Sequence, residues 1–185
     1  MKRGRYAPSP SGYLHLGNAF TALLAWLQIR REGGVFVLRM EDIDRDRSRP
    51  EYAEAILQDL RWLGLDWDEG PDVGGPHAPY VQSERLALYE SALDRLLKEG
   101  RLYPCTCTRA QLKAIASAPH GLGSEGPAYP GLCGGRTLTD ELRQSRYALR
   151  FRLPDEPATF RDGVFGEQSF PAGAGGDFVV KRSDG

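Results

Sequence analysis

The stretch that most limits how this chain can fold is Arg5-Tyr6-Ala7-Pro8-Ser9-Pro10-Ser11-Gly12-Tyr13-Leu14-His15-Leu16-Gly17-Asn18, close to its start. Two prolines in three residues exclude helix and hold the segment extended and stiff. Arg3 to Tyr6 can pair in a sheet. From Gly17 to Arg31, Phe20, Leu23, Leu24 and Leu27 recur at three- and four-residue steps, which predicts a helix that buries that face. His15 and Gly17 therefore fall where strand gives way to helix. Unpaired backbone N–H groups and the positive end of a helix dipole favour a phosphate at such a junction. Gly17 lets a ligand approach the backbone, and His15 can hydrogen-bond a phosphate as charge builds on it. Taken by itself, His-x-Gly is more plainly an ordinary loop ending at a satisfied histidine.

Gly33-Gly34 ends the helix, and Val35-Phe36-Val37-Leu38-Arg39-Met40 reads as a buried strand, completing a βαβ unit whose ligand would lie at the carboxyl ends of parallel strands. Glu41-Asp42-Ile43-Asp44-Arg45-Asp46-Arg47 stands there. It reads as a solvated turn with local charge pairs or, more weakly, as a magnesium site. Pro50 to Leu63 predicts a second helix with Ser48 as N-cap, Glu51 completing a capping box, and Tyr52, Ile56, Leu60 and Leu63 facing inward. Gly64 closes it, and the tryptophans Trp62 and Trp67 read as core packing. Gly70 to Pro79 is a surface loop in which His77 is a plain surface histidine. A third helix, Glu84 to Glu99, turns Leu86, Tyr89, Leu93, Leu96 and Leu97 inward, and Gly100 stops it.

From Tyr103 the chain changes character. Cys105-Thr106-Cys107, a short helix to about Ala116, a glycine- and proline-rich loop, and Tyr129-Pro130-Gly131-Leu132-Cys133 read as an insert. Three cysteines form no paired disulfide framework, which leaves incidental free thiols or a metal, and zinc takes soft thiolates readily. General chemistry offers His120 as the fourth ligand. Thr137 to Gln144 predicts a short helix, and Tyr147 to Leu153 a strand with one wet face. Arg146, Arg150 and Arg152 read there as a nucleic-acid-facing patch or a solvated edge. Residues 158–162, 167–170 and 177–185 continue as short strands and turns. The 185 residues allow one ordinary domain and a small insert, and a net charge of −1 gives no general attraction to nucleic acid. No apolar run is long enough to span a bilayer and Met1-Lys2-Arg3-Gly4 leads straight into the proline loop, so a cytoplasmic location without membrane association is expected.

Pro8-Ser9-Pro10-Ser11-Gly12-x-Leu14-His15-x-Gly17 resembles the nucleotide-binding signature of class I glutamyl-tRNA synthetases. His15-Leu16-Gly17-Asn18 stands in for their "HIGH" tetrapeptide, with Asn18 in place of the last histidine. Leu38-Arg39-Met40-Glu41-Asp42-Ile43-Asp44, Gln82-Ser83 and Asp177-Phe178-Val179 are similar to further family segments. Cys105, Cys107, Tyr129 and Cys133 match the zinc-binding pattern of the glutamyl-Q tRNA(Asp) synthetases, shortened members of the family. Ordinary zinc-bearing glutamyl-tRNA synthetases more often end in Cys-x-His, where this chain has Gly135.

The resemblance implies an α/β fold with three parts. These are the first half of a class I synthetase Rossmann-like nucleotide-binding domain (1–102), a zinc-binding insert (103–136), and a strand-rich connecting region (137–185) ending before the second half of the catalytic domain. The family's further pocket tyrosine and arginine and its "KMSKS"-like lysine loop have no counterpart in these residues. By the same resemblance, His15, Gly17 and Asn18 are catalytic and, with Pro8 and Ser11, bind ATP. Arg5, Ala7, Ser9 and Glu41 bind glutamate, with Arg5 on a carboxylate and Glu41 on the ammonium. Cys105, Cys107, Tyr129 and Cys133 hold one structural zinc, and magnesium comes with ATP. The implied activity is formation of glutamyl adenylate and transfer to the queuosine base of tRNA(Asp) by a monomer. Alternatives are a glutamyl-tRNA synthetase charging tRNA(Glu) and a truncated, non-catalytic nucleotide- or tRNA-binding module.

Overall fold

The computed structural model describes residues 1–108, 110–112 and 129–183. The chain divides into two compact units, Met1–Glu90 and Ser91–Gly185.

The first unit opens with the expected βαβ arrangement. Strand β1 (Arg3–Tyr6) pairs in parallel with β2 (Val35–Leu38), Arg3 opposite Val35 and Tyr6 opposite Leu38, and helix α1 (Leu16–Arg31) connects them. On its other side β2 takes the segment at Glu69 in parallel, Leu38 N–H donating to Glu69 O at 2.8 Å. Helix α2 (Pro50–Trp62) adds Ile56 and Leu60 to a core built from Tyr6, Phe36, Leu38, Met40, Leu65 and Trp67.

Helix α1 turns a different side to that core from the one its periodicity suggests. Ala22 and Ile29 are its buried residues, whereas Phe20, Leu23, Leu24 and Leu27 are 40 to 58% exposed. The helix is apolar round most of its circumference, so spacing by itself does not choose a face; close approach does. Ala22 is small enough to lie on the sheet, and two glycines make room for Ile29. A Cβ on Gly34 would stand 2.6 Å from Ile29 Cδ1 and 2.7 Å from Lys2 O, and one on Gly4 would meet Ile29 Cβ at 3.0 Å.

Further expectations change in detail. At α2, Pro50 takes the first helical position and Arg49 becomes the N-cap with no side-chain bond, so the Ser48–Glu51 capping box does not form. Trp67 is in the core, but Trp62 and Leu63, past the buried turn of α2, are 85% and 42% exposed. The third helix begins as a 3₁₀ turn, Gln82–Arg85, before α3 (Leu86–Lys98); its apolar side is only half-buried, with Leu86 exposed. All three helices stop at the glycines that the sequence marks. At Gly33, Gly64 and Gly100, each with φ between 59° and 77°, the chain closes with paired bonds back into the last turn, for example Gly34 N–H to Ile29 O and Gly33 N–H to Arg30 O, both 3.0 Å.

In the second unit, β3 (Leu102–Cys105), β4 (Ala148–Phe151) and β7 (Phe178–Lys181) form an antiparallel sheet with β4 in the middle. Between them β5 (Ala158–Asp162) and β6 (Gly166–Phe170) form a hairpin, with Phe160 stacked on Phe170. Its turn is held by the Asp162 carboxylate, which accepts from the N–H groups of Val164 and Phe165, and these bonds lower its pKa. A single helical turn at Asp140–Arg143 is capped by Thr139. Because β4 is central, it has no wet edge: Leu149 and Arg150 are both buried, and Arg150 does not belong to a solvent-facing basic strip. Among the described residues no helix is long and apolar enough to cross a membrane.

Candidate functional site

The proline loop continues the register of β1 against β2. Arg39 N–H donates to Tyr6 O at 3.0 Å and Glu41 N–H to Pro8 O at 2.9 Å, while Arg49 N–H reaches Pro10 O at 3.0 Å. Pro8 and Pro10 cannot donate, yet their carbonyls still accept, so the parallel pairing outruns both strands. Burial alternates along the whole run. Tyr6, Pro8 and Pro10 are buried, as are Phe36, Leu38 and Met40, while Arg5, Ser9 and the half-buried Ala7 turn the other way, as do Val37, Arg39 and Glu41. Period-two geometry thus puts Arg5, Ala7, Ser9 and Glu41 on one face, with Glu41 beside Ser9 across the pairing. Arg39 joins this face and lies 3.5 Å from the Glu41 carboxylate, its Nη2 also donating to Tyr89 Oη at 3.0 Å. Sequence reasoning missed Arg39, although its i,i+2 spacing from Glu41 on a strand was a readable signal.

His15 is the N-cap of α1. Its Nδ1 accepts from Gly17 N–H at 3.1 Å, and its own N–H donates to Asn18 Oδ1 at 3.3 Å, a reciprocal capping box. An Nδ1 that accepts fixes the neutral ring with its proton on Nε2, so an N–H donor is left over at the helix end. Ser11 N–H bonds Ser9 O at 2.9 Å, tightening the loop ahead of it.

In the acidic cluster Asp42 accepts from Ser83 N–H and Oγ at 2.8 and 2.6 Å, and Asp44 pairs with Arg47 at 2.6 Å. A cavity of about 530 Å³ lies beside it, with Pro10, Met40, Arg45, Arg49 and Leu57 among its walls. Glu69, buried, accepts from Tyr80 Oη and Arg3 Nη2, both at 2.5 Å; the Arg3 bond first, then the Tyr80 bond, hold its carboxyl below the ordinary value.

In the other unit, four residues separated by up to 28 positions converge. The sulfurs of Cys105, Cys107 and Cys133 lie within 4.8 Å of one another, and the three cysteines form no disulfide. Tyr129 Oη is 3.5 Å from Cys105 Sγ and 3.8 Å from Cys107 Sγ, and it accepts from Cys133 N–H at 3.0 Å; Cys107 and Cys133 sulfurs are 3.6 Å apart. Around a zinc-sized ion a tetrahedron has edges of about 3.8 Å between sulfurs and about 3.5 Å from sulfur to oxygen. These four side chains could therefore hold such an ion with little movement. Burial pushes the Cys105 thiol up, but hydrogen bonds from Tyr129 and Arg150 outweigh it and bring the thiol to about 7. Burial also raises Cys107 and Tyr129. His120 lies outside the described residues.

The family described as tRNA synthetases class I (E and Q), catalytic domain, matches residues 2–185. This chain belongs to that family. A glutamyl-Q tRNA(Asp) synthetase of Symbiobacterium thermophilum is 69% identical over 191 residues, spanning 100% of this chain and 58% of the relative. A glutamate–tRNA ligase of Sulfurihydrogenibium sp. is 47% identical, over 100% of this chain and 39% of the ligase. Among solved structures, the glutamate tRNA ligase of Elizabethkingia meningosepticum in complex with its amino acid superposes with a TM-score of 0.80 at 34% identity, covering 98% of this chain and 38% of that one. The chain thus spans little more than half the length of the glutamyl-Q relative. The catalytic-domain α/β fold of the class I synthetases is shared throughout.

Proposed function

We propose that this chain supplies the amino-acid and ATP contacts of an enzyme that activates glutamate to glutamyl adenylate and transfers it to the queuosine base of tRNA(Asp). The supporting observation is the common face of Arg5, Ser9 and Glu41 at the carboxyl end of two parallel strands. Glutamate carries carboxylates and an ammonium, and this face offers a guanidinium, a hydroxyl and a carboxylate. Among the described residues the side chains of Arg5 and Ser9 have no hydrogen bond or ion pair, so both are available to a ligand. Arg5 suits a substrate carboxylate by its planar fork, and Glu41 suits the ammonium. His15 Nε2–H, with the backbone N–H groups around Gly17 and Asn18, would stabilise charge on the ATP phosphates as pyrophosphate leaves. Pro8 and Ser11 would shape the approach to that site, and magnesium would arrive with ATP.

The tRNA assignment rests on Tyr129. Its hydroxyl, at bonding distance from the cysteine sulfurs, suits the Cys105, Cys107, Tyr129, Cys133 set as one structural zinc site in the insert 103–136. All four ligands come from the protein, so zinc there would fasten the fold and leave no position open for substrate.

The test uses the whole protein. Glutamate-dependent exchange of pyrophosphate into ATP without any tRNA, followed by glutamylation of tRNA(Asp) only when it carries queuosine, is the expected result. A strict need for tRNA in the exchange, with charging of tRNA(Glu), would replace this assignment by an ordinary glutamyl-tRNA synthetase. Binding of ATP and glutamate with no adenylate formed would leave a non-catalytic module.

A further inference from the structure

Arg150 occupies a position that a buried cation normally avoids. It lies on the central strand β4, is 7% exposed, and makes none of the ion pairs found among the described residues. Nη1 donates to the backbone carbonyl of Asp177 at 2.6 Å, while Nε, also buried, has no hydrogen-bond partner among the described residues. The nearby Asp177 carboxylate is engaged by Tyr103 Oη at 2.6 Å and Leu153 N–H at 2.9 Å. What Arg150 does face is the cysteine cluster: its guanidinium carbon sits 3.6 Å from the centre of the Tyr129 ring. An uncompensated guanidinium is costly to bury, and a carbonyl and a neutral ring are weak compensation.

A zinc ion bound by three thiolates and a phenolate keeps two negative charges in excess, and a buried anionic cluster is as costly as a buried cation. We propose that Arg150 is the positioning residue of this metal site: its guanidinium balances the excess negative charge of the loaded cluster and clamps the Tyr129 ring so that the phenol oxygen faces the metal. Neither side of the arrangement has a counter-charge in direct contact until the other is in place. Metal binding and burial of Arg150 then support one another, as outer partners of metal ligands commonly do. The proposal rests on the zinc assignment above.

The experiment is zinc retention by the full protein, purified without chelator and titrated with a competing chelator at one pH, for the parent, Arg150→Met, Arg150→Lys, Tyr129→Phe and the Met/Phe double variant. Expected is a loss of affinity of about tenfold to a hundredfold in Arg150→Met, much of it recovered in Arg150→Lys, which keeps the charge. The effect of Arg150→Met should shrink when Tyr129→Phe has already removed one negative ligand. In metal-stripped protein, Arg150→Met should melt no lower than the parent, because there it removes an unbalanced charge. Unchanged zinc affinity in Arg150→Met, with zinc held by the parent, overturns the role of Arg150. If Arg150→Met does not fold, a folded, zinc-retaining Arg150→Lys supports the charge role, and equal failure of Arg150→Lys overturns it. A parent without near-stoichiometric zinc overturns the metal assignment itself, which is a separate result.

Discussion

The proline loop and the cysteine cluster assemble their groups in opposite ways. In the loop, the backbone does the placing. Two proline carbonyls accept from the neighbouring strand, His15 and Asn18 cap a helix, and alternation sets Arg5, Ser9 and Glu41 on one face within a segment of continuous register. In the cluster, β3 and β4 are paired in the sheet, but the ligating groups are side chains that also come from Cys107 beyond β3 and from the 129–133 turn, where Tyr129 Oη accepts from Cys133 N–H. A face written into backbone pairing is in place before a ligand arrives. A site made of thiols and a phenol around a buried arginine would gain cohesion from an ion, as proposed above.

Removing metal tests that contrast most severely. Chelation should abolish protection of amides in 102–108 and 129–136 in hydrogen exchange and cost on the order of 10 kcal/mol of metal-linked stability. Protection in β1, α1 and β2 should be unchanged. Equal loss of protection in both units would mean that the cluster is not where the metal acts. The converse experiment is Leu60→Ala in the first core, where Leu60 is 1% exposed. It should destabilise Met1–Glu90 by about 2–5 kcal/mol by denaturant melting, with zinc content unaltered.

His15 separates structure from chemistry inside the loop. His15→Ala should slow adenylate formation by about 10²–10³-fold and also remove a cap worth about 1 kcal/mol. His15→Asn should restore the cap and not the rate, since asparagine supplies a capping acceptor without the imidazole donor. Recovery of the rate in His15→Asn would reduce His15 to a cap.

The smallest effect concerns Glu69. Its folded pKa lies below the ordinary value of 4.5, through the Arg3 bond first. The stability that it contributes is therefore full above pH 4.5 and is lost as pH falls through the lower folded value. Acid titration of thermal stability should show this fall in the parent and a flatter profile in Glu69→Gln. The cysteine cluster has no part in it, so zinc retention near neutral pH should be the same in both.

Much of this was legible along the chain because it is local. Proline stiffness, the strand–helix junction at His15 and the glycine stops at positions 33, 64 and 100 depend on a few adjacent residues. Ring and backbone geometry act on them wherever the chain goes. The side of α1 that meets the sheet was not legible, since apolar residues surround the helix, and the choice fell to Ala22 and to two glycines on other segments that admit Ile29. Nor was the fate of Arg150, which alternation on a half-wet strand would have turned to solvent. Only the pairing of β4 between β3 and β7 buries it, and only the return of Tyr129 to that sheet gives its charge a place against the ring. Sequence determined the local conformations and the kinds of chemistry at hand; tertiary structure decided which surfaces were close enough to exclude water, because burial depends on neighbours distant along the chain.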